Sequence, residues 1–197
     1  METAHLSESQ QREKKQLERA KMFLLYMGIG SMVMTFAGIT SAIIVQEGQK
    51  NWYDYTLPNV FIISTLILLL SSFTMHLALG AAKKNEGKKA GNFTLITFVL
   101  GLAFMAFQFQ GWQILVDSGL YFSDMKNISG SFFYTITALH MVHLVGGLIA
   151  LLVTMVNAYR NKYSDKNYLG IKLSTFFWHF LDILWLYLFI FLLLKSN

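Results

Sequence analysis

The sequence predicts an all-α protein that crosses a membrane as a bundle of five helices, and three observations lead to this prediction. Five apolar runs, each with the roughly 20 residues needed to cross a bilayer, contain no lysine or arginine: 22–46, 59–82, 93–116, 132–159 and 174–194. Only 14% of the 197 residues are charged, below the proportion of about a quarter usual in soluble domains. The lysines and arginines are concentrated in alternate loops, as in polytopic membrane proteins.

The basic residues predict the orientation of the chain. Most of them lie in the N-terminal tail and in the loops after the second and fourth runs: Arg12, Lys14, Lys15, Arg19, Lys21, Lys83, Lys84, Lys88, Lys89, Arg160, Lys162, Lys166 and Lys172. The other side has Lys50, Lys126 and Lys195. Because basic loops stay in the cytoplasm, we expect a cytoplasmic N-terminus and an external C-terminus. The formal charge of +5 is therefore a topology signal, and we expect no nucleic-acid partner.

The chain divides into two predicted segments. Residues 1–21 form a polar cytoplasmic N-terminal segment, and residues 22–197 form a single membrane domain of five helices. Ser7 and Gln10 have the spacing of a capping box, so the N-terminal segment is either a solvated helix that runs into the first span or a frayed tail. The absence of cysteine excludes a disulfide, a thiolate nucleophile and a cysteine-ligated metal site.

The fourth run carries two histidines, His140 and His143, on neighbouring positions of one helix face. Polar groups at that depth face other helices or a wet cavity, and Gly146 and Gly147 would allow a close helix contact. We expect neutral imidazoles that donate across helices to hydroxyl or carbonyl groups, with partners among Tyr134, Thr135, Thr137, Ser71, Ser72 and Thr74. The alternative is a membrane b-type haem protein in which His140 or His143 pairs with His76 or His179.

The fifth run contains Asp182, the acidic residue that lies deepest in any apolar run. An isolated carboxylate costs about 2.5 kcal/mol or more at that depth, so we expect it to be protonated or paired. His179 lies one turn before it on the same face, and Trp178 and Trp185 flank that face. We interpret the group as a hydrogen-bonded pair that orients this helix; a proton-handling or ligand site is the alternative.

These motifs resemble subunit III of the haem–copper terminal oxidases, in its five-span form. The fourth run matches the family pattern of Tyr, Thr and two histidines before Gly, and the fifth matches its aromatic-Trp-His-Phe-x-Asp-x-x-Trp pattern. Looser matches are Ser64, Thr65, Leu68, Ser71, Ser72 and Thr74 in the second run, and Leu100, Gly101, Phe104 and Gln108 in the third. The sequence departs from the family where Met32 and Gly111 stand at the positions of two membrane-embedded acids. The resemblance therefore does not extend to a proton role tied to those acids.

The resemblance implies an accessory subunit without a redox centre, in a respiratory complex that reduces O₂ to water and pumps protons. The haems and copper would lie in the neighbouring subunits I and II. This chain would stabilise the catalytic subunit, bind phospholipid and aid O₂ access or proton uptake. In some cases the oxidase would be part of a larger respiratory supercomplex. It would contribute no catalytic, cofactor-binding or metal-binding residue. Its polar residues would have structural roles between helices: Tyr134, Thr137, His140, His143, Trp178, His179, Asp182 and Trp185. An accessory subunit of a quinol oxidase or of a nitric oxide reductase is the alternative within this class. The expected location is the cytoplasmic membrane of a bacterium.

Overall fold

The computed structural model describes residues 8–48, 55–122, 128–163 and 168–196, and these residues form five long helices. The helices are α1 (Glu8–Glu47), α2 (Val60–Lys83), α3 (Gly87–Asp117), α4 (Ile128–Tyr159) and α5 (Leu169–Lys195). All five are long and apolar enough to cross a membrane. The predicted all-α fold with five spans is confirmed. Four of these helices, α1, α3, α4 and α5, begin before the apolar runs that predicted them. Residues before each apolar run extend these helices at their N-terminal ends.

Helices α2, α3, α4 and α5 form a four-helix bundle in which α2 closes the ring by packing against α5. Helix α1 packs outside this bundle, against α4 and α5. Buried residues make up 17% of the most apolar eighteen-residue stretch of α1, compared with 33–44% in the other four helices. The core of the protein therefore lies within the four-helix bundle, and α1 is peripheral to it.

Helix α1 is continuous from Glu8, so the polar N-terminal residues from that point are helical, in agreement with the first of the two predicted alternatives. Residues 1–7 lie outside the described part of the chain. The apolar part is held at its far end by Lys195, which donates to Glu47, and by the Tyr187 hydroxyl, which donates to Thr40 Oγ1 over 3.1 Å. At the near end, the rings of Tyr26 and Phe176 meet edge to face at 5.3 Å.

Two tight turns lie together at one end of the bundle. Asn85 in the turn between α2 and α3, and Asn161 after α4, both adopt left-handed conformations with φ of 60° and 52°. A Cβ atom at Gly87 would lie 2.7 Å from Asn161 Oδ1, so the two turns are in direct contact. The basic loops after the second and fourth spans therefore lie side by side.

Large aromatic side chains fill the core, and apolar side chains cover the outside. Trp178, Trp185, Phe61, Phe104 and Phe133 are almost fully buried. Large apolar side chains are also exposed on every helix, as in a protein whose surroundings are lipid. With no hydrophobic effect acting between spans in a bilayer, close packing and interhelical hydrogen bonds hold such a bundle together.

Candidate functional site

Both tryptophans of the fifth-span motif donate hydrogen bonds to hydroxyl groups of α2. Trp178 Nε1 donates to Ser71 Oγ, and Trp185 Nε1 donates to Thr65 Oγ1, each over 3.0 Å. The same hydroxyls donate to carbonyl oxygens of their own helix, Ser71 to Leu68 and Thr65 to Phe61, each over 2.7 Å. Each hydroxyl therefore acts once as donor and once as acceptor. Two buried indole N–H groups are satisfied in this way, and α5 is fixed to α2.

Two further side chains extend this row of polar contacts, which we call the hydroxyl ladder of α2 (Ser64, Thr65, Ser71 and Ser72). Gln108 Nε2 on α3 donates to Ser64 Oγ over 2.9 Å, and Ser72 Oγ lies 2.6 Å from His179 Nδ1 on α5. Ser64 and Ser71 are seven residues apart, as are Thr65 and Ser72. Seven residues are two helical turns, so the four hydroxyl groups lie along one inward face of α2. The hydroxyl ladder joins α2 to both of its neighbours.

Trp178 is the side chain around which the bundle is packed. A Cβ atom at Gly101 of α3 would lie 2.8 Å from Trp178 Cη2, and one at Gly147 of α4 would lie 3.3 Å from Trp178 Cε3 and 2.8 Å from Leu181 Cδ1. The indole therefore lies directly on the backbones of two helices while its N–H bonds to a third. The expected close contact at Gly147 is present, whereas a Cβ at Gly146 would meet nothing within 4 Å.

Asp182 is 4% exposed and lies beside His179, as their spacing suggests. His179 Nδ1 is 3.9 Å from Asp182 Oδ2, beyond hydrogen-bonding distance, and its closer contact is with Ser72. Among the described residues, neither carboxyl oxygen of Asp182 has a hydrogen-bond partner. The ring of His76 on α2 completes this group, with its centroid 6.4 Å from that of His179. We call His76, His179, Asp182 and Ser72 the α2/α5 polar cluster.

Replacing Asp182 by asparagine is expected to lower the yield of assembled complex more than the turnover of complexes that form. The amide replaces a carboxyl oxygen with two N–H donors in a buried site where Ser72 and His179 already contact each other, and one buried unsatisfied group costs about 1–3 kcal/mol. Complex yield on a native gel and turnover per haem measure the two effects separately. Normal yield and intact haem spectra combined with lost turnover would show that Asp182 takes part in the reaction and would exclude a packing role.

The two histidines of the fourth span differ from expectation in their partners. His140 is fully buried with aromatic rings around it: ring centroids of Trp185, Phe104 and Phe36 lie 5.1, 6.3 and 6.4 Å away. Neither of its nitrogens has a hydrogen-bond partner among the described residues. His143 Nδ1 lies 2.7 Å from the carbonyl oxygen of Leu139 in its own helix. The expected hydrogen bonds across helices are therefore wrong for both, because Ser71 and Ser72 are turned to α5 instead.

Tyr134 and Thr137 of the fourth-span motif have local partners. The Tyr134 hydroxyl donates to the carbonyl oxygen of Leu120 over 2.8 Å, which fixes the connection between α3 and α4. Thr137 Oγ1 donates to the carbonyl oxygen of Phe133, one turn earlier in α4. Tyr134 thus acts as a tether for the loop, and neither side chain is turned toward His140 or His143 as a hydrogen-bond partner.

Phe61 occupies the space beside Gly111, one of the two positions at which the sequence departs from the pattern that it resembles. A Cβ atom at Gly111 would lie 2.6 Å from Phe61 Cζ, and Phe61 is 1% exposed. The phenyl ring therefore fills the volume into which a longer side chain would extend. Met32, the other such position, is half-buried on α1.

The geometry offers no support for the haem alternative. The ring of His140, one of the two proposed ligands, is fully buried and enclosed by the aromatic side chains of Trp185, Phe104 and Phe36. Within the described ranges, no three His, Cys, Asp or Glu side chains converge to hold a metal ion. The motif side chains of α5 contact protein groups of α2 instead.

The sequence predicts Gln108 as a link between helices, which its bond to Ser64 confirms, but the roles of Ser64 and Thr65 as buried links were missed. The heptad spacing of Ser64 with Ser71, and of Thr65 with Ser72, is the signal that could have found them, since Trp178 and Trp185 have the same spacing. Cβ atoms at Gly28, Gly30 and Gly38 of α1 would meet nothing within 4 Å in this chain.

Comparison with known proteins identifies the family to which this arrangement belongs. The family model "Cytochrome c oxidase subunit III" matches residues 53–196. A probable cytochrome c oxidase subunit 3 of Mycobacterium tuberculosis is 31% identical over 166 residues, which are 82% of this chain and 81% of the relative. Subunit 3 of a cytochrome bo(3) ubiquinol oxidase of Pseudomonas aeruginosa is 30% identical over 170 residues, 85% of this chain and 80% of the relative. Cytochrome c oxidase subunit 3 of Alkalihalophilus pseudofirmus is 32% identical over 156 residues, 79% of this chain and 73% of the relative. The chain therefore belongs to the cytochrome c oxidase subunit III family.

Proposed function

We propose that this chain is the accessory subunit III of a bacterial cytochrome c oxidase, and that it packs against subunits I and II, which hold the haems and copper. Its role is to stabilise the catalytic subunit in the membrane. The observation that carries the proposal is the use of the family motif on α5: Trp178, Trp185 and His179 all contact hydroxyls of α2. Side chains engaged in this way hold α5 against α2.

The proposed topology has the N-terminus in the cytoplasm and the C-terminus outside the cytoplasmic membrane. The contact between Gly87 and Asn161 supports it, because two basic loops that adjoin each other must lie on the same side. Within this arrangement, electrons from cytochrome c reduce O₂ in the neighbouring subunits. This chain supports O₂ access or proton uptake from outside the redox site, and the oxidase can be part of a larger respiratory supercomplex.

Purification of the complex tests the proposed function. The full chain, tagged at its C-terminus and extracted from native membranes in mild detergent, is expected to bring down a haem–copper subunit with its haem absorption. Assays of that sample with reduced cytochrome c and with a quinol distinguish a cytochrome c oxidase from the quinol oxidase alternative. Reduction of nitric oxide by the sample would identify the nitric oxide reductase alternative. Recovery of the chain without any haem-containing subunit would contradict the proposal.

Phospholipid binding is proposed at a groove between the ends of α1 and α5. The groove has a volume of about 560 Å³, and three basic side chains, Lys15, Arg19 and Lys172, line it together with one carboxylate, Glu18, so its lining has a net positive charge. Its apolar lining includes Phe23 and Tyr26. Basic groups over an apolar floor suit an anionic headgroup and the start of its acyl chains. Mass spectrometry of the purified complex is expected to find anionic phospholipid retained, and to find less with Arg19→Gln and Lys172→Gln together. Equal retention by the double variant would exclude this groove.

A further inference from the structure

The α2/α5 polar cluster opens onto the outside of the bundle at a depth where lipid is the default neighbour. His76 is exposed, and the His179 side chain is 32% exposed. From the geometry of this opening we infer that the groove between α2 and α5 is a subunit interface. Its occupant is a transmembrane helix of the neighbouring oxidase subunit that offers a hydrogen-bonding group to His76. The inference rests on the proposed function and names the surface through which it operates.

The depth of the cluster is set by the helices that carry it. Asp182 is the middle residue of the 27-residue α5, and the midpoint of the 24-residue α2 falls between Ser71 and Ser72. His76 therefore lies about 7 Å along the helix axis from that midpoint, at 1.5 Å per residue. The hydrocarbon half-thickness of a bilayer is about 15 Å. With the helix midpoint taken as the centre of the bilayer, His76 lies within the hydrocarbon region.

Exposure of an imidazole at this depth is costly unless another protein covers it. A neutral imidazole has one N–H donor and one acceptor nitrogen, and lipid chains satisfy neither. Among the described residues, His76 contacts the His179 ring but forms no hydrogen bond. Asp182, behind it, has no hydrogen-bond partner there either. Polar groups within spans normally face protein or a wet cavity, so the open side of this cluster is where a further helix fits.

The side chains around His76 describe the shape of the partner. Phe73 lies three residues before His76 and Leu69 lies seven before it, so the three side chains share one helix face. Leu69 is 44% exposed and Phe73 is 63% exposed. This face therefore offers an apolar stripe interrupted by one hydrogen-bonding side chain. A partner helix with an apolar face and one hydroxyl, carboxyl, amide or exposed carbonyl group at that level would match it. A lipid chain would match the stripe but leave the imidazole unsatisfied.

Photocrosslinking in the intact complex tests which molecule covers this groove. Phe73 is replaced by p-benzoylphenylalanine, which keeps an aromatic side chain, and Val145 of α4 is replaced in the same way as the control. Val145 is 41% exposed and lies at the same distance from its helix midpoint as Phe73. Irradiation is expected to join the chain to another subunit at position 73 and not at position 145. An intact complex without a protein adduct at position 73 would overturn the inference.

Substitution of His76 tests the polar part of the interface. His76→Leu should release the chain from the complex about threefold more readily in a detergent titration, the effect of one typical interhelical hydrogen bond in a membrane. His76→Gln keeps donor and acceptor and is expected to stay close to the original retention. Unchanged or tighter retention with leucine would indicate a lipid-facing position and contradict the inference. Recovery of the unmodified chain without any oxidase subunit would contradict the proposed function itself. Recovery of an intact complex that is insensitive to His76→Leu would contradict only the interface inference.

Discussion

Replacement of Trp178 by alanine is expected to destabilise the bundle by about 3–5 kcal/mol, the range measured for large-to-small changes of buried aromatic residues. The indole touches the backbones of α3 and α4 at Gly101 and Gly147 and bonds to Ser71 of α2. Its removal leaves a cavity between four helices. Dispersion contacts contribute most of the packing energy in a bilayer, so they are lost at all these surfaces together. Unfolding in mixed micelles, followed by circular dichroism, measures the change.

Two milder variants separate the packing from the hydrogen bond. Trp178→Phe keeps an aromatic ring but removes the N–H, and Ser71→Ala removes the acceptor while leaving the ring in place. Each is expected to cost less than Trp178→Ala, because neither creates the full cavity. A Trp178→Ala protein as stable as Ser71→Ala would show that the cavity is refilled by movement of the helices, and that the packing at Gly101 and Gly147 is not the main contribution.

Introduction of an acid at Gly111 is expected to be among the most damaging single changes in the chain. In Gly111→Glu the new Cβ alone would lie 2.6 Å from Phe61 Cζ, and the carboxyl group would enter a region filled by the phenyl ring. Overpacking of a core costs about 1–3 kcal/mol, and a carboxyl group in the membrane adds about 2.5 kcal/mol or more. The same micelle unfolding experiment, together with the amount of chain recovered from membranes, measures the loss.

A second-site change tests the cause of this loss. Phe61→Ala removes the ring that occupies the space, so Gly111→Glu combined with Phe61→Ala should lose less stability than the two single changes added together. Gly111→Ala, which adds only the Cβ, should fall between the original and the glutamate variant. Strict additivity of the double variant would mean that Phe61 is not the obstacle and that the buried charge accounts for the effect.

The five helices could be predicted because each apolar run is long and free of basic residues, and the structure agrees with this reading. The end of a helix depends on local backbone contacts and not on hydropathy. For this reason the starts of α1 and α3, at Glu8 and Gly87, precede the apolar runs that predicted them at 22 and 93. The neighbouring positions of His179 and Asp182 also followed from spacing within one helix.

Contacts between helices could not be predicted in the same way. Span four and span five both offer side chains that could bond to Ser71 and Ser72, and composition does not decide between them. Packing does: Trp178 fits over Gly147 and Gly101, which directs its N–H to Ser71 and leaves His140 among aromatic rings. The replacement of an acid by Gly111 was visible in the sequence, but the ring of Phe61 that fills its space comes from another helix and was not.

The double role of the ladder hydroxyls also bears on the order in which the protein is made. Ser71 and Trp178 are 107 residues apart, so α2 is synthesised and inserted long before α5 exists. The hydroxyl groups of Ser71 and Thr65 donate to carbonyl oxygens of their own helix. Helix α2 therefore exposes no unpaired hydroxyl hydrogen at these two positions while it lies in the bilayer without α5. When α5 arrives, its two indoles find acceptors already oriented toward them. The later helix α5 therefore packs against hydroxyl groups that α2 has already oriented.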